Sequence, residues 1–137
     1  GGRAVFDCRR MIKLWNGQYE MYSSKEKADR SFKVFEKMLE LGADISQKDS
    51  HGGTLLQTIL IETKEVLPSY YWKTKETSDN VLITDELRHD LNRIYDLLIR
   101  YGVTADEIAV YQKIPLKELY QDSPTMEFLN RLDQNRS

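Results

Sequence analysis

The chain is poor in the residues that staple or interrupt a fold: one cysteine, three prolines and seven glycines in 137 residues. A lone Cys8 excludes a disulfide framework and a cysteine-rich zinc site, and it points to an intracellular protein of the cytoplasm or nucleus. The three prolines, Pro68, Pro115 and Pro124, stand only where helices are expected to end or begin. Neither sign of charge dominates. With 20 basic and 22 acidic side chains the net charge is −2, and no Lys/Arg block is present. That composition argues against a nucleic-acid partner. No apolar run approaches the ~18 residues of a membrane span, so no membrane partner is expected. The longest uncharged stretch, Ser50 to Ile61, is broken by Gly52, Gly53 and Gln57. A signal peptide and an initiator Met are both missing, and Gly1-Gly2 reads as the scar of a cleaved tag. The expectation is a single domain over 1–137, monomeric, expressed as a fragment of a longer protein.

What the chain does have is helical periodicity. In "SSKEKADRSFKVFEKMLELG", Phe32, Phe35 and Leu39 share a face with Met38 beside them. Ser23 and Glu26 form an S-x-x-E capping box at the start, and Gly42 is the expected stop. "TDELRHDLNRIYDLLIRYG" repeats the design: Thr84 as N-cap, Asp85 and Glu86 in the first turn, Leu87, Leu91, Ile94 and Leu98 on one face, Gly102 as the stop. Shorter helices are expected from Thr54 to before Pro68, in "IPLKELYQ", and in "SPTMEFLNRL" with Ser123 as N-cap. "AVFDCRRMIKLW" reads as a helix stopping near Asn16-Gly17. No strand alternation stands out. The expected fold class is all-α: a solenoid of about three stacked helix pairs with short connections.

Shifted by 60 residues, the chain matches itself: Phe35 meets Tyr95, Met38 meets Leu98, Leu39 meets Ile99, Gly42 meets Gly102 and Leu56 meets Leu116. Met38-Leu39-Glu40-Leu41-Gly42-Ala43-Asp44, followed by Asp49-x-x-Gly52-x-Thr54-Leu55-Leu56-Gln57, resembles the joint between two ankyrin repeats. That family has a period of about 33 residues, each unit a turn and two antiparallel helices with a T-P-L-H-x-A signature. Its signature Thr precedes the terminal Gly by about 21 positions, whereas Thr54 and Gly102 lie 48 apart. Removing the excess of 27 residues from the period of 60 restores the family spacing, and "LPSYYWKTKETSDNVLIT" reads as inserted between two helices. The resemblance divides the chain into units of about 3–47, 48–107 with an insertion at about 67–83, and 108–135 as a C-terminal cap. It departs from the family at Gln57 and Lys117, where the signature has His, and at Ile59-Leu60 and Leu119-Tyr120, where it has small residues.

Catalytic patterns are missing: no H-E-x-x-H, nucleophile elbow, P-loop or CxxC. His51 and His89 read as a turn residue and a solvated helix residue rather than a metal pair. Cys8, between Asp7 and Arg9-Arg10, reads as a buried thiol rather than an activated one. Asp85, Glu86 and Asp90 read as a solvated helix face. Tyr70-Tyr71-Trp72-Lys73 is different, because large aromatics are out of place in a loop. They are either a partner-binding anchor or rings folded back onto the domain, with the balance towards burial.

The ankyrin resemblance implies a non-enzymatic protein-interaction scaffold without cofactor or metal. Its binding surface would be the turn tips and the exposed face of the first helix in each unit. Here those positions are Gln47, Lys48, Ser50 and His51, then Thr58 and Glu62, then Val110, Gln112 and Lys113, with Tyr70, Tyr71 and Trp72 as a possible second anchor. The partner expected is a protein or peptide. The alternative is a targeting or substrate-presenting module appended to an enzyme, such as a host-directed bacterial effector or a signalling enzyme.

Overall fold

The computed structural model describes residues 3–45, 47, 48, 50 and 52–134. Its elements in chain order are α1 (Arg3–Phe6), β1 (Arg10–Lys13), β2 (Tyr19–Tyr22), α2 (Lys25–Glu40), α3 (Leu55–Val66), β3 (Tyr70–Tyr71), β4 (Glu76–Thr77), β5 (Val81–Leu82), α4 (Asp85–Arg100), α5 (Leu116–Leu119) and α6 (Met126–Gln134).

The two long helices follow from their sequence. In α4, Leu87, Leu91, Ile94 and Leu98 are all buried, as their spacing predicts, and the Thr84 hydroxyl caps the helix by accepting from the Leu87 N–H at 3.1 Å. In α2, Phe35 and Leu39 are buried and Phe32 packs beside them. Its cap is Ser24 rather than Ser23. Ser24 Oγ accepts from the Lys27 N–H at 3.2 Å, while Ser23 turns the chain with φ +73. The helices stop alike. Gly42 (φ +91) and Gly102 (φ +83) take the left-handed conformation. Beyond them Ala43 N–H donates to Met38 O at 3.3 Å and Val103 N–H to Leu98 O at 2.9 Å. Each closure uses carbonyls that the helix end would otherwise leave unpaired. The internal match at a shift of 60 is thus a match in geometry at both stops.

The all-α solenoid is overturned. The fold is mixed, 46% helical and 13% strand. A three-stranded antiparallel sheet runs in the order β2-β1-β5, and β3 pairs with β4 in a separate hairpin. Of the helix expected over 4–15 only about one turn forms, as α1. Arg10–Lys13 and Tyr19–Tyr22 instead pair across a three-residue loop, Trp15-Asn16-Gly17. Gly17 N–H donates to Leu14 O at 3.0 Å and Leu14 N–H to Gln18 O at 2.6 Å, with Gly17 at φ +85. This is a type I turn closed by a left-handed residue, a common hairpin connection in which Asn and Gly are favoured. The sheet then draws on the segment expected to be an excursion from the helices. Val81 pairs with Ile12 and Leu82 with Met11. Leu67, Pro68 and Val81 are buried, so the ends of 67–83 belong to the core.

α1 packs against α2, α3 and α4, and α4 packs against α6. Tyr95 and Phe128 meet at 5.7 Å between ring centroids, and the Tyr95 hydroxyl shares a 2.8 Å hydrogen bond with Thr63 Oγ1 in the interior. Burial holds the Tyr95 phenol well above its usual range.

Candidate binding cleft

The first turn of α3 is built around one side chain. Thr54 caps the helix, accepting from the Gln57 N–H at 3.3 Å and donating to Glu107 Oε1 at 2.6 Å. Gln57 then reaches the same carboxylate with its amide at 3.0 Å, donates to Ile108 O at 3.1 Å, and accepts from the Val110 N–H at 3.2 Å. An amide supplies both donor and acceptor, so one residue can satisfy a turn on both counts. The turn it holds, 107–116, is itself closed by Ala109 N–H to Ile114 O at 2.8 Å and Leu116 N–H to Glu107 O at 3.0 Å. These bonds fix the 108–124 segment alongside α3.

Between them runs an open cleft. Its larger part, about 780 Å³, has α3 (Ile61, Lys64, Glu65) as one wall and the α5 region (Ile114, Leu119, Tyr120) as the other. The β3–β4 hairpin closes one end with Tyr70 and Trp72. A smaller recess of about 110 Å³ continues towards Gly53 and shares Ile61, Gln112, Leu119 and Tyr120 with the larger one. The hairpin is tied to the opposite wall by Lys75 Nζ to Asp122 Oδ2 at 2.7 Å. Lys75 (φ +60) and Asp122 (φ +67) both occupy the left-handed region, an uncommon conformation for residues with a Cβ.

The sequence-predicted site divides in two. Thr58, Val110, Gln112, Tyr70 and Trp72 line the cleft. Gln47, Lys48 and Ser50 are exposed but are not among its lining residues, and neither is exposed Lys113. His51 lies outside the described residues. Glu62 is a correction. It is half-buried rather than on the open face, and its Oε2 is sealed without a hydrogen-bond partner. Burial pushes its carboxyl up to about 7. The aromatic loop is corrected as well: Tyr71 and Trp72 are 69% and 73% exposed, so the rings do not fold back into the core.

Three features went unread in the sequence. Ile61 presents an exposed apolar side chain on the cleft wall, a position that helical periodicity marks as outward. Trp15 stands 97% exposed at the tip of the first hairpin, and the Asn-Gly that follows it was the available signal. Asp90, read as solvated, is 1% exposed. It accepts from Arg9 Nε at 3.0 Å, Arg9 Nη2 at 2.9 Å and the Arg9 N–H at 2.9 Å. Its place between Leu87, Leu91 and Ile94 on the apolar face could have shown it. Arg93 stands 3.8 Å from the same carboxylate and 2.8 Å from Asp29, with its guanidinium over the Phe32 ring at 4.5 Å. The hydrogen bond to Asp90 holds Arg9 above its usual range.

The one cysteine offers no reactive thiol. Cys8 is buried, its Sγ donates to Ala4 O at 3.2 Å, and burial, with Asp90 nearby, pushes its thiol up to about 12. A thiol held that way is a poor nucleophile. Among the described residues no group of three or more His, Cys, Asp or Glu side chains is placed to hold a metal ion, and no helix is long and apolar enough to cross a membrane. Comparison of the chain with family models, curated proteins and solved structures finds no match.

Proposed function

We propose that the chain is a non-catalytic binding module that holds a protein segment or peptide in the cleft between α3 and the 108–124 region. The observation that carries this reading is the cleft itself, open to solvent and walled by rigid helix on one side. Exposed Ile61 and Trp72 border it. Apolar side chains presented beside convergent polar groups are the usual make-up of such sites, and Trp and Tyr are enriched among residues that dominate binding energy. The protein would act inside the cell, and its dispersed charge, net −2, favours a protein ligand over nucleic acid.

Selection of displayed random peptides on the chain, with affinities then measured by calorimetry, tests the reading. Ile61→Glu should abolish binding of selected peptides, and Lys48→Glu, at an exposed turn outside the cleft, should leave it unchanged. Peptides that tolerate Ile61→Glu but are lost on Trp15→Ala would move the site to the first hairpin and reject the cleft.

A further inference from the structure

We propose that the chain pairs with a second copy of itself through the free edge of β2, joining two three-stranded sheets into one of six strands. This does not rest on the reading of the cleft.

In the order β2-β1-β5 the middle strand is β1, and β2 has one neighbour. The ladder fixes which way each backbone group of β2 points. Arg10 pairs with Tyr22 and Ile12 with Glu20, and the next pair of that set, Leu14 with Gln18, is bonded through Leu14 N–H to Gln18 O at 2.6 Å. Bonded and non-bonded pairs alternate in an antiparallel ladder. Glu20 and Tyr22 therefore turn their N–H and C=O towards β1, and Tyr19 and Met21 turn theirs outward. On the other side of β1, Lys13 N–H donates to Asn80 O at 2.9 Å, as the same alternation requires. Among the described residues no backbone group bonds to the outward N–H of Tyr19 or Met21. An open edge is a template for another strand unless Lys, Pro or a bulge blunts it. β2, Tyr-Glu-Met-Tyr, has none of these, and its last three residues are exposed.

The side chains select a second copy as the occupant. Identical antiparallel strands in one sheet are related by a two-fold axis perpendicular to it, which keeps each face on its own side, so the register must be centred on a residue. Tyr19 or Tyr22 at the centre would pair a single strand residue. Glu20 at the centre sets two carboxylates opposite each other, which is destabilising. With Met21 at the centre, the two Met21 residues exchange both N–H to C=O bonds, and each Glu20 stands opposite Tyr22 of the second copy.

Tyr22 is where cations gather. The Arg10 guanidinium lies 4.1 Å from its ring centroid, and Lys27 Nζ lies 5.8 Å away. Lys27 also stands 3.7 Å from Asp7. Arg10 has only carbonyl partners: its Nη1 donates to Phe6 O at 2.8 Å and Cys8 O at 3.3 Å, and among the described residues no carboxylate pairs with it. Burial holds Arg10 below its usual range. Glu20 is exposed and forms no ion pair among the described residues. The two-fold supplies each lone carboxylate with the other copy's lone guanidinium, twice over. The opposite face agrees. Leu82, Met11 and Met21 stand directly across from one another on the three strands, with Leu82 and Met21 exposed. Joining the edges extends that apolar row through six strands and covers each Met21 with its counterpart. Ser23 (φ +73) ends β2, so the shared ladder is short and the dimer weak and concentration-dependent.

Sedimentation equilibrium of the whole chain from about 10 μM to 1 mM tests this. The mass should rise with concentration from 16.1 kDa towards twice that value. Met21→Pro removes an N–H that β1 does not use, so circular dichroism should be unchanged while the mass stays at that of one chain. Glu20→Arg, at an exposed position, sets like charges together and should weaken dimerisation by about tenfold or more. It decides the matter if the proline variant fails to fold. A chain that is monomeric at every concentration overturns the proposal. So does a dimer that survives both substitutions, because its interface then lies elsewhere. Displayed peptides that bind a monomeric chain and are lost on Met21→Pro would give the edge to a foreign strand, and that outcome overturns it as well.

Discussion

The helical frame and the two hairpins are held by contacts of different kinds. The frame has exposed pairs, Arg88 with Glu127 and Lys25 with Asp29 among them, but it also holds polar contacts in its interior. Asp90 is sealed under Arg9 with Arg93 3.8 Å away, and the Tyr95 hydroxyl meets Thr63. In the hairpins the ties are exposed: Lys13 to Asp79 at 2.7 Å, with 36% and 70% of the side chains open to solvent, and Lys75 to Asp122 at 67% and 48%. Exposed pairs contribute about 0–1 kcal/mol, whereas breaking a buried pair costs about 3–5 kcal/mol. The difference separates the part of the molecule that must be right for folding from the part free to meet a ligand.

The boundary runs through the segment 67–83, and the largest effect should come from cutting it in the wrong place. Replacing all of 67–83 by a short turn removes buried Leu67 and Val81, each worth about 1.5–3 kcal/mol, and takes β5 from the sheet. Cooperative thermal unfolding should be lost or shifted far down. Replacing only 70–77 by Asn-Gly should leave it nearly intact, because Ser78 N–H already meets Ser69 O at 2.8 Å. Equal effects of the two replacements would erase the boundary. Next in size is Asp90→Ala, which leaves the Arg9 guanidinium without its buried partner. A loss of about 3–5 kcal/mol in urea unfolding is expected, and a loss below ~1 kcal/mol would show that the pair is not part of the frame. Gly42→Val follows, at about 1 kcal/mol or more. No atom lies within 4 Å of where a Cβ would sit, so the cost is purely that of φ +91.

Glu62 gives a smaller, pH-dependent effect. Its carboxyl titrates near 7 in the fold against 4.5 for the free side chain, so the folded chain binds the proton more tightly. Stability from this group is present below pH 4.5 and is lost as pH rises through 7. Glu62→Gln should raise the melting temperature at pH 8 and leave it unchanged near pH 4. An equal gain at both values would rule out titration as the cause. Smallest of all, Trp72→Ala should change stability by less than about 0.5 kcal/mol, since its ring is open to solvent. A larger loss would place the ring in the frame.

The same division explains what could be read from the sequence. Helices α2 and α4 declare themselves because burial on one face imposes a period, and their glycine stops follow from a conformation that other residues resist. The first hairpin has only four residues a side, and its outer strand is largely exposed, so alternation is too short to register. Asn16-Gly17 was legible, but as a stop it fits a helix as well as a turn. The burial of Asp90 was legible from its place on the apolar face, but its partner was not. A carboxylate on an apolar face makes sense only with its cation, and that cation, Arg9, lies 81 positions earlier. In the cleft, Thr58, Val110 and Gln112 were found because helix and turn positions follow from local pattern. Its opposite wall at Tyr120 and Asp122 depends on how Gln57 docks a turn some fifty residues away, which no local pattern carries.

That long-range pairing sets an order of events during synthesis. Residues 10–22 are synthesised long before their third strand, Val81 and Leu82, and Arg9 has no carboxylate to neutralise it until Asp90 follows. α2 and α3 can form meanwhile from contacts within themselves, but the N-terminal segment must wait. Helical arrays built from neighbouring contacts grow unit by unit. This chain instead closes a loop over most of its length, and such closures are slow and leave apolar surface open while they wait.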